Sequence, residues 1–389
     1  MTLKKLTNLS LFIVIVLIMV QGCAAADNLT SHGDTNSTGY VVDAVPAAPP
    51  SPVAKPVTNE TQTSSIGATP VTTPEAGGRT VTDDLGKEVH IPAVPQRIVS
   101  LAPENTEILY ALGLGYKVVG VTDYCNYPAE ALAVEKVGGF KSVNIEKVLQ
   151  AKPDLVVAVY GNSVEVIDDL ESLGITVVSL NPTSIGDVME GIHLVGEATW
   201  ADDEATAVVD DMQARIDVVE EAVACADTTP SVVHMVWNDP IWVSSANSFQ
   251  DEMFAMAGAN NAFSSGEGWE IVSMEEFIVT DPDVIIVNSG SGMGGDQYDI
   301  LYEYVHEEPR FRGLTAVKED RVYLVDSDTI DRGGPRIVES LEIVARDIHP
   351  ECFSKGNTVQ PVETQSPAPF IGALAALAVL GCCLRRQRE

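Results

Sequence analysis

Basic residues are scarce in this chain: 23 Lys and Arg stand against 56 Asp and Glu, a formal net charge of -33. A surface of that sign repels polyanions, so nucleic acid is excluded as a partner. Cysteine is scarce too, and its six copies are scattered without any CxxC spacing, which excludes a disulfide scaffold. The six histidines are equally scattered, which argues against a metal site made of bare protein ligands. HExxH, the Walker phosphate loop and the Gly-x-Ser-x-Gly elbow are all missing; no catalytic residue stands out and no enzyme is expected. Aromatic residues make up only 6%. Where Tyr and Trp gather, they therefore carry information.

Much of what is present lies at the two ends. Lys4 and Lys5 precede an apolar core from Leu11 to Val20 and a small-residue exit at Gly22, Cys23, Ala24, Ala25 and Ala26, the order of a secretory signal over residues 1–26. An extracytoplasmic location is implied. Val20, Gln21, Gly22 and Cys23 resemble a lipobox, which would lipidate Cys23 and anchor the chain to the outer face of the cell membrane; cleavage after Ala26 is the plain alternative. Residues 27–78 are rich in Thr, Ser, Pro and Ala, a composition that builds no core and reads as a flexible stalk. Sequons at Asn28, Asn36 and Asn59 mark that stalk for glycosylation. A second linker spans 354–368. The tail, 369–389, runs from Pro369 and Phe370 through an apolar stretch to Arg385, Arg386 and Arg388; it is short for a full span of roughly 20 residues and resembles archaeal surface-sorting tails of the Pro-Gly-Phe type. Ala368 and Pro369 stand where Pro-Gly belongs.

Between the stalks the pattern is α/β. A hairpin is predicted over Arg79 to Ile91 with Asp84, Leu85 and Gly86 at its turn, and then short apolar runs alternate with amphipathic helices, the mark of βαβ units and a parallel sheet. From Asp202 to about Cys225 runs an Ala-rich acidic segment without Gly or Pro, predicted as one rigid helix. A second α/β series comes after it. Val143 to Val156 lines up without a gap on Val272 to Ile285, each copy holding a cap residue, a short helix, a Pro and an Asp before a buried strand, so two related lobes are expected. Cys225 and Cys352 would end the inter-lobe helix and the last helix, which leaves a structural disulfide between them open in an oxidising compartment. Cys125 is left over.

Ligands of open α/β sheets sit beyond the carboxyl ends of the strands, and the loops predicted there are rich in polar and aromatic groups. One lobe offers Pro103, Glu104 and Asn105, then Tyr124 and Tyr127, then Tyr160; the other offers Trp237, with Trp242 and Trp269 in neighbouring loops, and then Asp328 and Arg332. Aromatic walls with few polar groups suit a large, partly apolar ligand. Each aromatic could equally pack its own loop, Asp328 and Arg332 could clamp that ligand or pair with each other, and Glu104 and Asn105 could simply cap the helix starting near Thr106. Gly290, Gly292 and Gly295 match GxGxxG after a strand, but an exported chain meets no dinucleotide supply.

The runs RIVSLAPENTEILYALG, VTDYCNYP, VGGFKSVNIEKVLQAKPDLVVA, LESLGITVV and VSMEEFIVTDPDVIIV together resemble the periplasmic cobalamin-binding and iron-siderophore-binding proteins of ABC importers. The likeness runs from Arg97 to Ile348, and Gly268 with Trp269 and the run SDTIDRGGPR lean it toward the cobalamin branch. It implies the class III fold: two Rossmann-like lobes, 79–201 and 227–353, bridged by one long helix, 202–226. It implies a monomeric solute-binding subunit without a cofactor, working with an ABC permease and its ATPase, and carrying a corrinoid (cobalamin or cobinamide). A ferric siderophore is the alternative, and haem stands third. In that branch aromatic residues pack the corrin, which points to Tyr127, Tyr160, Trp237 and Trp269. The family docks its permease through one carboxylate per lobe, which carries over to Glu165 and Glu275. The internal repeat pairs Glu275 with Glu146 instead.

Overall fold

The computed structural model describes residues 77–289 and 299–353. The signal with Cys23, the stalk with Asn28, Asn36 and Asn59, the glycines Gly290, Gly292 and Gly295, and everything after residue 353 lie outside the described residues. The chain opens with the hairpin of β1 (Arg79–Thr82) and β2 (Glu88–Ile91). Its turn falls where the sequence puts it: Asp83 accepts from the backbone N–H groups of Leu85 at 3.1 Å and Lys87 at 2.9 Å, and Gly86 takes a φ of 78° that only glycine adopts freely.

Strands β3 (Ile98–Ser100), β4 (Val118–Val121), β5 (Leu155–Val159) and β6 (Val177–Leu180) form the sheet of the N-terminal lobe, all parallel, in the order β4-β3-β5-β6. Every residue of β3, β5 and β6 is buried, as expected of parallel strands covered on both faces. Helices α1 (Pro103–Ala111), α2 (Ile145–Ala151), α3 (Val164–Ser172) and α4 (Ile185–Thr199) connect and cover them. The first of these starts three residues earlier than the sequence predicts. Pro103 occupies its first turn, where the fixed φ fits and no N–H is needed, so Pro103, Glu104 and Asn105 are helical rather than loop residues.

Helix α5 (Asp202–Val223) then spans 22 residues, about 33 Å at the α-helical rise. Asp202, Asp203 and Glu204 fill its first turn, where the helix dipole favours negative charge. It lies against α4 so closely that a Cβ on Gly196 would come within 2.5 Å of the Ala205 side chain. Just beyond its end, Cys225 is disulfide-bonded to Cys352, 127 residues away.

The C-terminal lobe holds β7 (Ser231–Asn238), β8 (Ile241–Ser244), α6 (Phe249–Met256), β9 (Asn260–Asn261), β10 (Trp269–Val272), α7 (Met274–Thr280), β11 (Val284–Ser289), α8 (Ile300–Glu307), β12 (Val322–Asp326), α9 (Ser327–Ile330) and α10 (Ile337–Ile348). Its sheet runs β10-β8-β7-β11-β12, with β9 beside the start of β7. Here the structure departs from the sequence reading. Trp237, Trp242 and Trp269 all lie on strands, not loops, because β7 runs on to Asn238, β8 turns straight back on it at Asp239–Pro240 and β10 pairs antiparallel with β8. The two lobes therefore share a core order, β4-β3-β5-β6 against β8-β7-β11-β12, but reach the outer position differently. One buried cluster joins α4 and α5 to α6 and α10 and so spans both lobes, while separate clusters fill the outer side of each sheet.

Candidate functional site

The loops after β4 and β12 meet across the gap between the lobes, and charged side chains join them. Asn126 donates to Asp328 at 2.6 Å and accepts from Arg332 at 2.8 Å. Arg332 also binds Asp328 at 2.6 Å and reaches Glu107 at 3.3 Å. Glu107, on α1, takes a two-pronged contact from Arg336 at 2.6 and 2.9 Å, and its side chain is only 2% exposed. Charges removed from water this far are stable only when paired. Asp328 and Arg332 thus pair with each other and bind the opposite lobe. Of the two alternatives open for Asp328 and Arg332, the structure shows the mutual pair, with both Asp328 oxygens and both terminal Arg332 nitrogens bonded within an inter-lobe seam. Glu104 sits half-buried on the same helix, and burial raises its carboxyl above the usual range although Arg332 opposes this.

On the N-lobe loops, Tyr124, Tyr127 and Tyr160 are 47%, 37% and 40% exposed. The Tyr127 ring carries the Arg336 guanidinium 3.9 Å from its centre, so a C-lobe cation orients an N-lobe aromatic. Asn162 fixes the neighbouring loop by donating to the backbone oxygens of Leu101 at 3.0 Å and Phe140 at 2.8 Å.

The C-lobe aromatics come from register. Trp237 pairs with Trp242, Trp242 with Ile271, and Ser244 with Trp269. Directly paired residues share a face, as do residues two apart on a strand, so all three tryptophans belong to one face of the sheet. Trp237 and Trp269 are half-buried. Trp242 is 4% exposed and supports that face from within, which corrects its expected role as a ligand contact.

Beneath Trp269 lies a polar chain that sequence reasoning missed. The His234 ring meets Trp269 edge-on at 6.1 Å, and its Nε2 lies 2.8 Å from Asn288 Oδ1. Asn288 donates to Asp331 at 2.6 Å, and Gln250 donates to the other Asp331 oxygen at 3.0 Å. Burial lowers the His234 pKa to about 4, leaving a neutral ring that donates through Nε2 and accepts from Ser244 at Nδ1, 3.2 Å away. Burial, reinforced by Asp328, raises the Asp331 pKa to about 7. No motif marked these residues; the only cue was a histidine inside an otherwise apolar strand.

The expected docking carboxylates are all exposed. Glu165 opens α3 and accepts from Ser163 at 2.6 Å, which holds it below the usual carboxylate range. Glu275 and Glu146 occupy the same position on α7 and α2, and those two helices are built alike. Asn144 and Ser273 each accept a backbone N–H three residues on at 3.0 Å. Lys152 and Asp281 close them in the left-handed region, and Asp154 and Asp283 then hold the start of β3 and β7 through backbone N–H groups. A cavity of about 280 Å³ between Asp84, Asn181, Thr183, Asp187 and Glu190 lies at the β1–β2 turn and contains none of the expected site residues.

Residues 98–329 match the family described as periplasmic binding protein. Over 283 residues the chain is 38% identical to the uncharacterized ABC transporter substrate-binding lipoprotein YvrC of Bacillus subtilis, covering 71% of this chain and 87% of that one. The crystal structure of a possible iron-binding (periplasmic solute-binding) protein from Staphylococcus epidermidis is 30% identical and superposes with a TM-score of 0.59, covering 66% of this chain and all of that one. The periplasmic vitamin B12 binding protein BtuF of Vibrio cholerae is 27% identical with a TM-score of 0.56, covering 67% of this chain and 99% of its own.

Proposed function

The chain belongs to the periplasmic binding protein family and is a solute-binding protein of an ABC importer, and on that premise we propose that its cargo is a corrinoid, held without chemistry between the lobes and handed to a permease. One observation supports this reading: Tyr124, Tyr127 and Tyr160 are partly exposed on N-lobe loops, Tyr127 against the C-lobe Arg336, and Trp237 and Trp269 are half-buried on one face of the C-lobe sheet. Partly exposed rings on two opposed walls offer a planar, mostly apolar macrocycle a large contact area at little cost in side-chain entropy. The likeness to a vitamin B12 binding protein supports the same cargo. Titration with cobalamin, cobinamide and ferric siderophores should quench tryptophan fluorescence for the corrinoids; silence across all of them would falsify the cargo assignment. Ferric chelates are the second reading, favoured by the S. epidermidis likeness.

Lipid on Cys23 is the proposed anchor, in keeping with the lipoprotein relative, and the boundaries 79–201, 202–226 and 227–353 are the proposed lobes and bridge. For docking, the matched construction of α2 and α7 supports Glu146 with Glu275 in place of Glu165, because equivalent positions on two related lobes present their carboxylates alike. In vesicles holding the cognate importer, Glu146→Ala and Glu275→Ala should each cut uptake about tenfold with cargo affinity intact. Loss of uptake in Glu165→Ala instead would return the role to that residue.

A further inference from the structure

The segments after the strands, through the helix starts at the cleft, carry four basic residues among them: Lys136 and Lys141 after β4, and Arg332 and Arg336 after β12. Residues 290–298, between β11 and α8, contain no Lys or Arg. Three of the four cations are committed. Lys136 donates to the backbone oxygens of Cys125 at 2.9 Å and Thr122 at 3.4 Å. Arg332 is taken by Asp328 and Asn126, and Arg336 by Glu107. Among the described residues Lys141 alone is left over, and it can meet a single negative charge. Carboxylates on the same segments, among them Asp123, Asp239, Glu267, Asp328 and Asp331, outnumber these cations, and Glu107 on α1 adds another.

Resting on the assignment of this cleft to a metal chelate, we infer that the cleft selects its cargo by charge, accepting neutral or cationic chelates and rejecting polyanionic ones, and that Glu107 is the residue that determines this. A chelate bearing several negative charges needs free cations in a partly desolvated cleft. Like-charge juxtaposition without them costs several kcal/mol. Glu107 removes the supply, because one buried carboxylate engages both guanidiniums at 2.6 and 3.3 Å. The rule separates cargoes of similar size that aromatic walls alone would hold about equally. A neutral corrinoid meets no penalty, a cobinamide cation meets a favourable field, and a ferric tris-catecholate trianion meets an unfavourable one.

The test uses three probes on the wild-type protein at low and moderate salt: cyanocobalamin, diaquocobinamide and the tris-catecholate complex of ferric iron. The trianion is expected to bind about 100-fold more weakly than either corrinoid. In Glu107→Gln, where Arg336 loses its carboxylate partner while Arg332 stays with Asp328, that ratio should shrink about tenfold; in Asp328→Asn, which leaves Glu107 on both guanidiniums, it should shrink less. A wild-type protein that binds the trianion within about threefold of the corrinoids overturns charge selection and leaves the chelate assignment standing. A ratio unmoved in folded Glu107→Gln removes Glu107 from the role. Should that variant fail to fold, an unmoved ratio in Asp328→Asn overturns the pairing of the arginines as the source of the selection. Failure to bind any probe sinks the chelate assignment and the charge rule together.

Discussion

The two lobes hold their strands in the same order and bring the third strand in through the same capped helix, yet they present aromatic side chains in different ways. In the N-terminal lobe β4 reaches its place by a crossover and ends in a loop, and Tyr124 and Tyr127 ride on that loop. In the C-terminal lobe β8 folds back as a hairpin, which turns the equivalent region into strands and puts Trp237, Trp242 and Trp269 under sheet register. Strand positions are fixed by paired backbone hydrogen bonds, and loop positions by a few side-chain contacts. The cores differ in parallel: the outer cluster of the C-lobe is built round Phe263, Phe277 and Phe311, that of the N-lobe from aliphatic residues.

Truncating the centre of each core tests that contrast most strongly. Phe277 has ring neighbours at 5.1 and 6.0 Å, and Phe277→Ala should cost about 3–5 kcal/mol in denaturant unfolding. Leu170→Ala, equally buried in the N-lobe, should cost nearer the low end of about 2–5 kcal/mol. Equal losses would break the distinction between the cores.

The pH dependence of stability should belong largely to the C-lobe. His234 is held near pKa 4 against an ordinary 6.5, so the stability it contributes is complete above the unfolded value and is lost as pH falls through 4, on the order of 3 kcal/mol. Asp331, raised to about 7 from 3.8, has the opposite sign: its contribution is complete below 3.8 and is lost as pH rises through 7. The two windows overlap with opposite signs, so in thermal unfolding across pH 4–7 His234→Gln should leave a stability that falls as pH rises and Asp331→Asn one that falls as pH drops. A profile in His234→Gln with the same slope as the wild type would place the sensitivity elsewhere.

The smallest effects sharpen the likeness rather than the difference. Asn144→Ala and Ser273→Ala remove matching helix caps and should each cost about 1 kcal/mol in chemical denaturation. A loss confined to one of them would show that the two copies are not built alike in energy.

The repeated helix–strand unit was legible because its signals are local: a cap residue, a Pro and an Asp at fixed spacing that the backbone reads within a few residues. The hairpin of β7 and β8 carried a signal too, Asp239–Pro240 between alternating apolar strands, but the run resembled the end of a buried parallel strand. The start of α1 was misplaced because Pro103 reads as a breaker unless it falls at the first helical position.

By itself the sequence determined two α/β lobes, the long helix between them and the loops from which the tyrosines rise, since periodicity and capping act over short stretches of chain. The tertiary structure decided where the tryptophans face and which charges are spent. Glu107 and Arg336 are 229 residues apart, and a contact of that span depends on how two lobes pack. A scarcity of basic residues was visible from the start; that the fold leaves almost none of the described ones free in the cleft was not.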